Sequence, residues 1–119
     1  MSNFTFNKKY ITKSAEFIIE VIKTKLNEDG FFVGTGHGKK FAIKRFSSTA
    51  ICYTGMEKKQ GKSEDIAVAD LKTAIEEMKK FREFNTDTDL MKERIPNSLL
   101  RKRTALFGIL TSAEILVEV

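Results

Sequence analysis

One cysteine in 119 residues leaves no intramolecular disulfide, and one cysteine with one histidine cannot supply a zinc cage. No apolar run approaches the ~20 residues of a membrane span, and Met1–Phe6 holds no signal-peptide core. The expectation is a cytoplasmic protein of a reducing compartment, with no membrane partner. Repeats and low-complexity tracts are absent as well, so residues 1–119 read as a single domain. The lone proline, Pro96, requires the helical turn before it to end. Against these absences stands an apolar fraction of 41%. That supports a core, since a chain of 13.5 kDa buries roughly two-thirds of its unfolded surface.

Ser14 suits a helix cap, with Glu16 in the first turn and Gly30 just past the end, which predicts a helix from about Ser14 to Asn27. Ala15, Ile18, Ile19, Ile22 and Leu26 share one face of it, widened by Phe17 and Val21. Beyond Gly30 the period changes, and Phe31–Val33, Phe41–Phe46 and Ala50–Thr54 are short β-type runs. The spacers Gly34–Gly38 and Ser47–Thr49 are too short for a parallel return, so the runs form antiparallel hairpins. Glu57–Lys62 reads as a loop. Ser63 with Glu64 and Asp65 then reads as a capped helix start, followed by Ala67, Leu71, Ala74, Ile75, Met78 and Phe81 on one face. After a break at 85–89, Ser98 opens a last helix to about Leu110, with Leu99, Leu106 and Leu110 inward. Residues 114–119 alternate through Ile115, Val117 and Val119. A fourth strand and a last helical turn both stay open there, and so does pairing within the monomer or across a homodimer. The fold class is α+β: a three-stranded antiparallel sheet, with the C-terminal fourth strand as an option, packed against two or three helices in the order α-β-β-β-α-α.

The net charge of +5 is unevenly spread. Residues 1–30 carry +1 and residues 64–119 carry −2, whereas residues 31–63 carry +6. Lys39, Lys40, Lys44, Arg45, Lys58, Lys59 and Lys62 face Glu57 alone in that middle segment. Such a concentration attracts polyanions, nucleic-acid phosphates above all. Phe31, Phe32, Phe41, Phe46 and Tyr53 interleave with the cations. Simple strand alternation puts Phe41, Ile43 and Arg45 on one face and Lys40, Ala42, Lys44 and Phe46 on the other, where lysines and a phenylalanine would hold phosphates and stack a base. Arg101-Lys102-Arg103 is a second basic spot, read as a solvated helix face.

Catalytic motifs fail one by one. Gly34-Thr35-Gly36-His37-Gly38-Lys39-Lys40 has lysine at 39 where both the dinucleotide fingerprint and the phosphate loop need glycine, and no helix follows. It is a hairpin tip whose N–H groups can meet an anion. No carboxylate or serine is placed to orient His37 as an acid or base. Cys52 lies between apolar and aromatic neighbours, the setting of an inert thiol.

Glu57-Lys58-Lys59, after the third strand of an α-β-β-β-α order, resembles the restriction-endonuclease-like nucleases, whose metal-binding core ends in Glu-x-Lys on the corresponding strand. That family also needs an aspartate on the preceding strand, and Phe41–Phe46 contains none. The same order is similar to the double-stranded-RNA-binding domain, with Gly61-Lys62-Ser63 ahead of the second helix and Ala67 and Ala74 on its inner side. Glu64 and Asp65 stand where that family places lysines and would repel phosphate. Both likenesses stop at topology.

The expectation is a small basic non-enzymatic binding protein, an accessory or regulatory factor of phage or mobile-element type. Its sheet and loops engage nucleic acid (DNA or RNA) or a nucleoprotein through Lys39, Lys40, Lys44, Arg45, Lys58, Lys59 and Lys62. No cofactor, metal or catalytic residue is expected. The alternative is an inhibitor or adaptor that docks on an acidic protein surface of a host factor, with Phe32, Phe46 and Tyr53 as anchors.

Overall fold

The Ser14 side chain accepts a hydrogen bond from the Phe17 amide at 3.1 Å and so caps the first helix. The computed structural model describes residues 3–35, 38–55, 63–85, 92–93 and 95–119. Along them run β1 (Phe4–Phe6), α1 (Ala15–Asp29), β2 (Phe31–Val33), β3 (Lys40–Phe46), β4 (Ala50–Gly55), β5 (Glu64–Ala67), α2 (Val68–Met78), α3 (Asn97–Leu100), α4 (Arg103–Ser112) and β6 (Leu116–Glu118). At the end of α1, Gly30 takes φ +78° and donates its N–H to the Leu26 carbonyl at 2.7 Å. Side chains rarely adopt that left-handed conformation, which is why glycine stands there. Between the caps, Ala15, Ile18, Ile19, Ile22 and Leu26 are buried as their spacing predicts.

The class is α+β, but the main sheet is four-stranded rather than three-stranded, in the order β2-β3-β4-β5 with every pair antiparallel. The fourth strand is not C-terminal. It is Glu64–Ala67, the stretch whose Ser63, Glu64 and Asp65 read as a helix start. Tertiary pairing overrides that cap signal. Without β5, β4 would present a bare edge of unpaired backbone groups. With it, Ile66 lies opposite Ile51 and both are buried in the core. The helix begins only at Val68. From there Leu71, Ala74, Ile75 and Met78 turn inward as expected. The last helix also divides, with Arg101 and Lys102 turning between α3 and α4.

Residues 116–118 do form a strand, in a separate two-stranded sheet with β1: Phe4 lies opposite Glu118 and Phe6 opposite Leu116. The pairing lies within the monomer, so these residues need no homodimer to find a partner.

One hydrophobic core lies between the inner face of the main sheet and the helices. At its centre is α4, where Ala105 through Leu110 are all buried. Gly108 lets this helix press on β2. A Cβ there would sit 2.6 Å from the Val33 carbonyl oxygen and 2.8 Å from the Gly34 Cα, and backbone atoms cannot swing aside as a side chain would. Helix propensity alone would make Gly108→Ala stabilising by about 1 kcal/mol. The clash reverses the sign, and a net loss of roughly 1–3 kcal/mol is expected from overpacking. A urea midpoint at or above wild type would show that the helix can withdraw from β2.

Candidate functional site

Opposed residues of an antiparallel pair share a face, so the register sorts the main sheet into inner and outer rows. Phe32 with Phe41, Ile43 with Tyr53 and Glu64, and Phe46 with Ile51 and Ile66 form the inner rows. Val33 with Lys40, Phe31 with Ala42 and Thr54, Arg45 with Cys52 and Asp65, and Ala50 with Ala67 form the outer rows. None of these outer residues is buried. The helices pack on the inner side and leave this face to solvent.

A β-bulge decides which side chains reach it. Between Ile43 and Arg45 the register shifts, so Lys44 is the extra residue and the alternation changes phase. Simple alternation put Phe46 outward with Lys40 and Ala42. The bulge turns Phe46 into the core, 7% exposed, and puts Arg45 outward with Lys40. Lys39, Lys40, Lys44 and Arg45 are all exposed. Lys58, Lys59 and Lys62 lie outside the described residues, as do His37 and Glu57.

The expected anchors are corrected by burial. Phe32 and Tyr53 are each 1% exposed and Phe46 is 7% exposed, so none offers a ring to a partner. Phe32 stacks on Phe41 with centroids 5.1 Å apart and meets Tyr53 edge-on at 5.4 Å, which makes the trio part of the core. The Tyr53 hydroxyl donates to Glu64 Oε2 at 3.1 Å, and burial followed by the Glu64 charge holds its phenol above the ordinary value. On the outer face, the hydrogen bond to Asp65 and then burial keep the Cys52 thiol above its usual range, partly offset by a Ser63 hydrogen bond and the Arg45 charge. A thiol so held is a poor nucleophile at neutral pH.

The aromatic ring that does face outward is Phe31, 38% exposed, with Val33 beside it at 37%. Lys40 Nζ lies 5.7 Å from the Phe31 ring centroid, a cation resting over a π face. The sequence reading offered Phe32 as the exposed anchor, whereas the structure buries it and exposes its neighbour Phe31, because phase in a three-residue strand comes from its pairing with β3 and not from its own pattern. It also set aside the basic spot at 101–103. Lys102 Nζ donates to the Asp65 carbonyl oxygen, which brings the turn between α3 and α4 to the edge of β5 with Arg101 exposed.

No protein-family model, curated protein or solved structure gives a significant match to this chain. The residues alone carry the functional reading. Among those described, no group of three His, Cys, Asp or Glu side chains is placed to hold a metal ion, and no helix is long and apolar enough to cross a membrane.

Proposed function

We propose that the chain is a non-enzymatic nucleic-acid-binding protein whose outer sheet face and adjoining hairpin tip hold phosphates. One observation carries this reading: Lys40 and Arg45 stand on the face of β3 that no helix covers, with the exposed Lys39 and Lys44 beside them in the chain and Asp65 the sole carboxylate among the described outer rows. Cations gathered on a low-curvature surface raise the local potential felt by a polyanion and release its counterions on contact. Lys58, Lys59 and Lys62 belong to the connection between β4 and β5 and add three further basic residues to the same segment. The protein-docking inhibitor or adaptor is the weaker reading, because its anchors Phe32, Phe46 and Tyr53 are in the core.

Exchanging Lys39, Lys40, Lys44 and Arg45 for glutamine is the test. All four are exposed, so the melting midpoint should hold while affinity for a generic oligonucleotide falls at least tenfold at low salt. The slope of log affinity against log salt should shrink by about 3–4, close to one for each lost phosphate contact. Retention of wild-type affinity by the quadruple variant would end the electrostatic account. The same mixtures, supplied with magnesium, should show no cleavage of the labelled strand.

A further inference from the structure

We infer that the outer face takes a single strand of nucleic acid rather than a duplex, with a base stacked on Phe31 and the phosphates following β3. This rests on the nucleic-acid reading above and narrows it.

Reading a duplex through its major groove takes a helix or ribbon that projects into it. Here α1, α2 and α4 lie behind the sheet and cannot reach a ligand on the outer side. The middle of the outer face carries Ala42, Ala50, Cys52 and Thr54, all short side chains and all partly exposed. No bulky group there holds a base away from the strands. At one margin stands Phe31, the one aromatic ring of the outer rows, with its face open enough to be 38% exposed.

Charge sits where a strand's backbone would need it. Lys40 is at the start of β3 and Arg45 near its end, roughly 13 Å apart at the usual rise per residue, since the bulge adds a residue without adding a step of the ladder. Lys44, bulged out of the ladder, lies between them. Lys40 is also the cation over the Phe31 ring. It can therefore leave that ring for a phosphate while the attached base takes its place on the π face. Stacking of this kind tolerates any base, because each has a π surface.

The chain contains no tryptophan, so Phe31→Trp installs a unique fluorophore at the stacking position. That variant is titrated with a thymidine oligomer, an abasic oligomer of the same length and charge, and a duplex. Quenching of the indole by the thymidine strand and not by the abasic one is the expected result. A preference of about tenfold for bases over abasic sites should accompany it. Phe31→Leu keeps the site apolar and should lose that preference while still binding the abasic strand as wild type does. Equal binding of the abasic and thymidine strands with unchanged fluorescence would overturn the stacking inference and leave phosphate binding standing. Tighter binding of the duplex would overturn it as well. Failure of all three ligands to bind would overturn the nucleic-acid reading itself.

Discussion

Phe107→Ala is expected to cost about 3–5 kcal/mol, the range for emptying a buried aromatic site. The side chain is fully buried on α4. Its ring meets Phe4 at 5.6 Å and Phe84 at 5.9 Å, both edge-on, so one aromatic group joins the central helix to β1 and to the segment bridged with it. Edge-on pairs add to the area term, and truncation removes both together. Domains of this size are stable by roughly 5–15 kcal/mol, so the variant would be near the limit of folding at physiological temperature. Urea unfolding with an unchanged slope and a midpoint lowered in proportion is the measurement. A loss below about 1 kcal/mol would mean that the surroundings collapse into the vacated space.

Leu71→Ala follows closely, at about 2–5 kcal/mol. Leu71 is fully buried in the middle of α2, with Val68, Ala74, Ile75 and Met78 on the same inward face. Its neighbour supplies the control. Lys72 is only partly covered and makes a loose ion pair with Glu16 at 3.8 Å, so Lys72→Ala should stay within about 0.5 kcal/mol. The contrast between adjacent positions reads the orientation of the helix directly. An unchanged midpoint for Leu71→Ala would place that face against something other than the core.

Helices were the most legible part of this sequence, for a local reason. The cap at Ser14, the left-handed Gly30 and the stripe from Ala15 to Leu26 are all written within one helix length. The inward set of α2 was equally plain, because 3.6-residue periodicity survives even when the start of the helix is misplaced. What could not be read was anything decided by a distant partner. Ser63, Glu64 and Asp65 carry a sound cap signal, yet Ile66 is worth more opposite Ile51 than on a helix. Likewise β1 and β6 are three residues each and pair across nearly the whole chain, so β1 does not announce itself and the alternation at 114–119 leaves a strand only as one of two options.

The candidate face shows the same division. The excess of cations was visible by counting, since charge needs no register. The rings were not, because one extra residue at Lys44 exchanges the faces of everything after it in β3. That exchange turned Phe46 inward, while the pairing of β2 with β3 set Phe32 inside and left Phe31 outside.

The register of β1 against β6 also fixes how the molecule would respond to force. Phe4 faces Glu118, and the Val119 amide donates to the Asn3 carbonyl at 2.9 Å, so the outermost bonds of the pair are those next to Asn3 and Val119. A load applied between these residues opens the antiparallel ladder from its end, one hydrogen bond after another, and never shears the set at once. Once that ladder has parted, β1 is still held on its other side, where Phe4 exchanges backbone hydrogen bonds with Phe84 at 2.7 and 2.9 Å. The small sheet is thus weakest when opened from that end, and its second set of bonds at Phe84 keeps β1 on the core after β6 has peeled away.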